Sequence, residues 1–245
     1  LSGVTGALID KGNHRHFMQK EIFEQPVVVA QTLQSYIRSV EQKVALPQMD
    51  FELSAIERVT IIACGTASYV GMIGKYWIEQ LARVPVEVDV ASEFRYRDPV
   101  LTPNMLGVVV SQSGETADTL AALRHMKAGG VTTAGIINVP TSSMAREVDL
   151  LLPTHAGPEI GVASTKAFTC QLAVMAALAV NLARAKGRLD AEEEAEIVRH
   201  LIEAPAAINE ALGHDADIEA MAHTIAQARD VLYLGRGPDY ALALE

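Results

Sequence analysis

Short apolar runs alternate with longer stretches of helical periodicity through the middle of the chain, and this rhythm predicts its fold. The runs that have the length and β-branched character of buried strands are residues 59–63, 86–90, 106–110, 131–137 and 148–152. The main stretches with helical spacing are residues 66–81, 116–128 and 160–185. The pattern therefore predicts an α/β fold: a doubly wound, parallel five-stranded sheet flanked by helices, of the flavodoxin or Rossmann-like kind.

The segments that precede and follow this alternation divide the chain further. Residues 1–13 are irregular and contain glycine, so we interpret them as a linker. Residues 14–57 form a mainly helical segment that leads into the sheet, and Pro26 is expected to interrupt or restart its helix. The sheet domain is predicted to span residues 58–188, and a connecting amphipathic helix residues 189–213.

The same pattern starts again near the end of the chain. A helix predicted over residues 215–229 precedes the apolar run 231–234, which ends in a glycine turn as residues 61–65 do. This weak repeat predicts that residues 214–245 are the start of a second, truncated copy of the sheet domain. Because one strand and one helix cannot bury themselves as a domain, we expect the chain to be part of a longer protein.

A turn rich in hydroxyl groups follows the third predicted strand at residues 111–116, with the sequence Ser-Gln-Ser-Gly-Glu-Thr. A helix that starts there offers free N–H groups and the positive end of its dipole to an anion. The hydroxyls of Ser111, Ser113 and Thr116 add donors, and Gly114 is expected to let the backbone approach the anion. The turn therefore predicts a site for a phosphate group.

Two further polar turns, at residues 64–68 and 159–166, follow the first and fifth predicted strands. Each turn alone would more often be a helix cap, because Ser and Thr are good N-cap residues. Parallel strands present their carboxyl ends at one edge of a sheet, so all three turns are expected to meet there. Since no dinucleotide or ATP motif is present, the ligand is predicted to be a small phosphorylated metabolite.

Composition and charge exclude several classes of partner. The formal net charge of −10 argues against nucleic acid or an anionic membrane as the main partner. The most apolar stretch, residues 163–185, contains polar side chains and is predicted to be a buried core helix rather than a membrane span. The expected compartment is the cytoplasm. Cys64 and Cys170 lie far apart and are interpreted as two buried, reduced thiols rather than a disulfide or a metal site.

The remaining polar residues suggest no catalytic set. The seven histidines have no ligand spacing, so no metal site is expected. Glu93, Arg95 and Arg97 are interpreted as part of a solvated loop. Glu115 is interpreted as a carboxylate that stabilises the helix dipole, in preference to a catalytic role.

Longer motifs resemble a known family. The turn 111–116, the Cys-Gly-Thr turn at residues 64–66 and the stretch 159–169 resemble the sugar isomerase (SIS) domains. Residues 16–26, 91–97 and 234–237 are also similar to the isomerase half of the glutamine-dependent enzymes that make glucosamine 6-phosphate.

The resemblance implies that the ligand is fructose 6-phosphate or glucosamine 6-phosphate, without a metal or redox cofactor. It implies phosphate contacts along residues 111–116 and sugar contacts in the stretch 159–169. The residues that it implies for ligand binding are Gly65, Thr66, Ser111, Gln112, Ser113, Gly114, Thr116, Val162 and Ser164. The chain departs from the family at Ala67, where serine is usual, so one hydroxyl contact is lost unless Ser68 supplies it.

The resemblance also implies a longer parent enzyme. A glutaminase domain would precede Leu1, and the catalytic residues would follow Glu245, so this chain would bind the phosphosugar without catalysing the reaction. A homodimer is expected. Two alternatives stay open: an SIS-type phosphosugar deaminase or isomerase without a glutaminase domain, and a non-catalytic phosphosugar sensor.

Overall fold

The computed structural model describes residues 10–245, so residues 1–9 of the linker predicted at 1–13 lie outside the described residues. The strands are β1 (Ile37–Arg38), β2 (Lys43–Val44), β3 (Arg58–Ala63), β4 (Val86–Val90), β5 (Met105–Ser111), β6 (Thr132–Ile137) and β7 (Leu150–Pro153). β1 and β2 form an antiparallel hairpin, and the other five strands form a parallel sheet in the order β4-β3-β5-β6-β7. The predicted five-stranded parallel sheet is therefore confirmed.

Helices cover both faces of this sheet. They are α1 (Phe17–Gln34), α2 (Thr66–Leu81), α3 (Ala91–Tyr96), α4 (Ala117–Ala128), α5 (Ser143–Glu147), α6 (Lys166–Ala185), α7 (Ala191–Leu212), α8 (Asp215–Ile225) and α9 (Pro238–Leu244). On β5, Val108 and Val110 pack with α1, α2 and α6, whereas Val109 packs with α3, α4 and α5. This alternation follows from the strand period of two and buries the sheet on both faces.

α1 continues through Pro26, so the expected interruption is wrong. Proline lacks an N–H group, which leaves the carbonyl of the residue four positions earlier without its helical partner. In α1 that residue is Ile22, and the side-chain amide of Gln25 donates to its carbonyl oxygen at 3.0 Å. The neighbouring glutamine therefore replaces the missing backbone donor.

The segment after β4 is a helix, not the predicted solvated loop. α3 buries Ala91 and Phe94, whose spacing of three places them on one helix face. Its exposed arginines form ion pairs: Arg95 with Asp118 at 3.0 Å, and Arg97 with the carboxylates of β4. Both arginine side chains are therefore paired with carboxylates of the same fold.

The predicted strand at residues 231–234 is not formed. α8 ends at Ile225, and the chain from there to α9 has no regular structure. Leu232 and Leu234 are 86% and 90% exposed. A strand needs a neighbouring strand to pair its backbone groups, and the described residues provide none at this position. The start of a second sheet domain in this region stays a prediction.

α6 is the buried core helix that the sequence predicts. Of the described helices it alone is long and apolar enough to cross a membrane, yet 83% of its most apolar window is buried inside the protein. It begins at Lys166 instead of residue 160, and residues 154–165 form a loop before it. The position of this loop determines one wall of the candidate site.

Candidate functional site

A cleft lies at the carboxyl ends of β3 and β5. The strand order changes direction at this point, because β3 is followed along the chain by β4 on one side and then by β5 on its other side. All three strands remain parallel. The helices that follow the two strands, α2 and α4, therefore pack on opposite faces. The turns into these helices separate at the sheet edge, which is the usual ligand position in open α/β sheets.

The cleft has a volume of about 310 Å³ and receives residues from all three turns. The residues that line it are Cys64, Thr66, Ala67, Val110, Ser111, Gln112, Ser113, Thr116, Glu159, Gly161, Val162, Ser164 and Gln171. All but two of the residues that the resemblance implies for ligand binding are therefore brought together. The exceptions are Gly65 and Gly114, which shape the turns without lining the cleft.

The turn 111–116 is held together by its own hydroxyls. Ser111 Oγ accepts from the N–H of Gly114 at 3.0 Å, and Ser113 Oγ accepts from the N–H of Glu115 at 3.2 Å. Ser111 Oγ also lies 3.4 Å from Thr116 Oγ1. The N–H groups of Gly114 and Glu115 are thus used within the turn, while the hydroxyls of Ser111 and Ser113 accept and still have a hydrogen to donate. The N–H groups of Gln112, Ser113 and Thr116 have no partner in the described part of the chain.

Gly114 is required by the packing of this turn. Its φ is +66°, and a Cβ atom at this position would overlap Ser142 Oγ. Ser142 is buried and its Oγ accepts from the N–H of Ala145 at the start of α5. The close contact at Gly114 is therefore with Ser142, while its approach to an anion stays a prediction.

Glu115 links the same turn to α5. Its carboxylate accepts from the N–H of Ser143 at 2.7 Å, and this backbone hydrogen bond lowers the pKa of Glu115. Since the carboxylate points towards α5 and does not line the cleft, its contacts are structural.

The turn 64–68 contributes a helix start to the cleft. Gly65 has a φ of +58° and precedes α2, whose first residue Thr66 donates its hydroxyl to Glu245 Oε1 at 2.8 Å. Ala67 lines the cleft. Ser68 instead donates its hydroxyl to the carbonyl of Gly65 at 2.6 Å, so it does not supply the hydroxyl that is missing at Ala67.

Glu159 lies within the loop before α6 and sets the start of that helix. One carboxylate oxygen accepts from the N–H groups of Thr165 and Ala167, at 2.9 and 3.2 Å. The other accepts from Ser164 Oγ at 2.9 Å. Because these first N–H groups have no partner inside the helix, the carboxylate favours a helix start at Lys166.

Glu21 of α1 binds the same loop by its backbone N–H groups. This residue is 2% exposed, and its carboxylate accepts from the N–H groups of Ile160 and Gly161 at 2.6 and 3.1 Å. A Cβ atom on Gly161 would lie 2.5 Å from Glu21 Oε2, so the close approach needs glycine. Beside this contact, Lys166 forms a buried ion pair with Glu24 at 2.7 Å.

Three residues of the site were missed by sequence reasoning: Glu21, Glu159 and Gln171. Glu159 lies inside a predicted turn, and its position before a helix start is a signal that could have identified it. Glu21 acts across 139 residues of sequence, and Gln171 lies within an apolar helix, so neither has a local signal.

The two cysteines differ in environment. Both are free thiols, but Cys64 is only partly buried and lines the cleft. The expectation of a buried thiol is therefore confirmed for Cys170 and wrong for Cys64. Cys170 is buried in α6, and burial raises its pKa to about 11. Within residues 10–245, no group of three or more His, Cys, Asp or Glu side chains comes together that could hold a metal ion.

The chain is similar in sequence to curated aminotransferases. It is 69% identical over 245 residues to a glutamine–fructose-6-phosphate aminotransferase (isomerizing) of Zymomonas mobilis, and 54% identical over 242 residues to that of Caulobacter vibrioides. These matches include 100% and 99% of this chain but 40% of each relative. The chain thus spans about two fifths of the length of the curated relatives that it matches.

A solved structure and a family profile agree with this similarity. The C-terminal domain of glucosamine-fructose-6-phosphate aminotransferase from Francisella tularensis is 40% identical, with a TM-score of 0.91. That match covers 96% of this chain and 66% of the solved chain. The SIS domain profile matches residues 52–181, which include the whole parallel sheet and all three turns. The chain therefore belongs to the SIS domain family.

Proposed function

We propose that the cleft binds fructose 6-phosphate, as the sugar site in the isomerase half of a glutamine-dependent enzyme that makes glucosamine 6-phosphate. The observation that carries this proposal is the meeting of three polar turns at the carboxyl ends of β3 and β5. The similarity to glutamine–fructose-6-phosphate aminotransferases supports the choice of sugar.

The phosphate is assigned to the turn 111–116. No lysine or arginine is among the described residues that line the cleft, so neutral donors must hold the anion. The open N–H groups of Gln112, Ser113 and Thr116 and the start of α4 provide such donors. The hydroxyls of Ser111, Ser113 and Thr116 can turn from their contacts within the turn towards the phosphate oxygens.

The sugar is assigned to the opposite wall, where the loop before α6 presents Val162 and Ser164. Thr66, at the start of α2, also lines the cleft, and its hydroxyl can donate to the ligand when it turns away from Glu245. Gly65 contributes by its positive φ, which lets the chain turn into α2 at the cleft edge.

We further propose that these residues bind the sugar without transferring its protons. Glu159 is the carboxylate among the described residues that line the cleft, and both of its oxygens already accept hydrogen bonds. A general base must be free to accept a proton from the substrate. The proton-transfer groups are therefore assigned to another part of the parent enzyme. The similarity to glutamine–fructose-6-phosphate aminotransferases supports a glutaminase domain in that parent, and we propose a cytoplasmic homodimer with it.

Thermal unfolding of the 245-residue chain tests the binding proposal. Titration with fructose 6-phosphate or glucosamine 6-phosphate is expected to raise the melting temperature, because a ligand that binds only the folded state stabilises it. Unphosphorylated fructose is the control and is expected to have little effect. An equal response to fructose would contradict the assignment of the phosphate to the turn 111–116.

Two measurements address the proposals about the parent enzyme. The chain with ammonia and fructose 6-phosphate is expected to form no glucosamine 6-phosphate, and product formation would contradict binding without turnover. Light scattering during gel filtration gives the oligomeric state, for which a dimer is expected.

A further inference from the structure

Gln171 is a buried residue whose side-chain amide is open to the cleft and lacks a partner among the described residues. It lies in α6, is 2% exposed and lines the cleft. Its side chain makes no hydrogen bond to any of the described residues, although a glutamine amide offers two donors and an acceptor oxygen. Buried polar side chains in proteins are nearly always paired, so an unpaired one needs an explanation.

The other buried polar side chains in the described part of the chain follow that rule. Asn181, on the same helix, is the closest comparison: its amide donates to the carbonyl of Ala177 at 3.0 Å and accepts from Arg184 at 2.6 Å. Thr165 is only partly buried as a residue, and its Oγ1 is an enclosed atom without a partner, but it does not line the cleft. Gln171 thus combines burial, an unpaired amide and a position at the cleft.

The chemistry of the amide indicates which part of a ligand it would meet. Phosphate oxygens accept hydrogen bonds, and donors for them are already grouped at the turn 111–116. A sugar hydroxyl both donates and accepts, so it can satisfy the oxygen and the NH₂ group of an amide together. The position of Gln171 on α6, the helix that follows Val162 and Ser164, agrees with the sugar wall of the cleft.

We propose that Gln171 is a sugar-binding residue that hydrogen-bonds a hydroxyl of the phosphosugar and so favours a polyhydroxylated phosphate ester over phosphate alone. This inference rests on the proposed function of the cleft. It assigns a specificity role to a residue whose side chain makes no hydrogen bond within the described protein.

Substitution of Gln171 by methionine tests the proposal, since methionine has a similar length and no hydrogen-bonding amide. In calorimetric titrations of the 245-residue chain, Gln171→Met is expected to weaken fructose 6-phosphate binding by about tenfold. Binding of inorganic phosphate is expected to stay within twofold of the unsubstituted chain. Thr116→Val, on the phosphate side, is expected to weaken both ligands.

The melting temperature without ligand provides the second readout. Gln171→Met is expected to leave it unchanged or raise it, because no hydrogen bond is lost. The matched control Asn181→Leu removes a buried amide that is paired, and it is expected to lower the melting temperature.

The outcomes separate the two proposals. If the unsubstituted, folded chain does not bind fructose 6-phosphate, the proposed function fails and the role of Gln171 fails with it. If that chain binds but Gln171→Met binds equally well, or loses both ligands equally, only the role of Gln171 is overturned. Unfolding of Gln171→Met would assign the amide a structural role and would also overturn it.

Discussion

The two walls of the cleft are held in place by different means. The turn 111–116, the proposed phosphate wall, is closed by the hydroxyls of Ser111 and Ser113, which accept from N–H groups two or three residues later. It is also anchored to α5, where the N–H groups of Ser143 and Met144 donate to Glu115 and to the carbonyl of Gly114. The loop before α6, the proposed sugar wall, is fixed by carboxylates, one of them Glu21 from a helix 139 residues earlier in the chain. The phosphate wall therefore combines local contacts with an anchor 28 residues away, whereas the sugar wall depends on a much more distant helix.

Under the proposed function, this difference allows the phosphate and the sugar to be recognised separately. The turn 111–116 depends on its own hydroxyls and on the nearby α5. A loop that depends on a distant carboxylate changes when that carboxylate or its helix changes. Substitutions at the two walls are thus expected to separate phosphate binding from sugar binding.

The largest expected effect is on the phosphate wall. Gly114→Ala forces a residue with a Cβ into a φ of +66° and into contact with Ser142, and it should cost about 3 kcal/mol in the free energy of unfolding. Urea denaturation measures this cost. Gly130→Ala is the control, because Gly130 has a φ of +78° but open space around it, and about 1 kcal/mol is expected. Equal costs would show that packing against Ser142 is unimportant.

A smaller effect is expected at the sugar wall. Glu21→Gln replaces an acceptor-only carboxylate beside Ile160 and Gly161 by an amide, at a cost of about 2 kcal/mol in the free energy of unfolding. Fructose 6-phosphate should bind more weakly while inorganic phosphate binds as before, as calorimetry can measure. Glu203→Gln, an exposed glutamate on α7, is the control. Equal losses for both ligands would contradict the separation of the two walls.

The acid dependence of stability provides a finer test of the phosphate wall. The hydrogen bond from Ser143 lowers the pKa of Glu115 from its ordinary value of 4.5, so the ionised carboxylate stabilises the fold above that pH. This stabilisation is lost as the pH falls below 4.5 through the pKa of the folded state. The melting temperature of the unsubstituted chain should therefore exceed that of Glu115→Gln at pH 6, and the difference should shrink towards pH 3. A difference that is independent of pH would refute this role.

Thiol labelling has the smallest expected effect on the fold, because it needs no substitution. Iodoacetamide at pH 8 is expected to modify Cys64 and to spare Cys170, whose burial raises its pKa to about 11. Fructose 6-phosphate should slow the modification of Cys64, since that thiol lines the cleft. Mass spectrometry of the peptides gives both rates. If inorganic phosphate protected Cys64 as well as fructose 6-phosphate does, the protection would not require the sugar.

The sheet and the turn 111–116 could be predicted because many of their determinants are local. Each strand is a short apolar run, and the hydroxyl contacts inside the turn join residues within five positions of each other. The anchors of the turn to α5, from Ser143 and Met144, had no such local signal. The same local reasoning failed at Pro26, where the side chain of Gln25 supplies the missing donor. It also failed at residues 231–234, where an apolar run has no neighbouring strand in the described chain.

The sugar wall could be predicted only in part. Val162 and Ser164 were assigned through the resemblance to SIS domains, and the structure places both at the cleft. The turn at residues 159–166 was predicted, but the helix was predicted to begin at residue 160 instead of Lys166, because nothing in the sequence shows that Glu159 holds the first N–H groups of α6. Glu21 could not be assigned at all, since its effect depends on how α1 packs beside the loop.

The contact between Glu21 and the loop has a consequence for how the domain is delimited. The SIS profile begins at residue 52 and includes all five parallel strands, but α1 lies outside it. A polypeptide trimmed to that profile would keep strand pairing and the phosphate wall while losing the carboxylate that anchors Ile160 and Gly161. Under the proposed function, the smallest unit that can pair its strands is therefore shorter than the smallest unit that can bind the sugar.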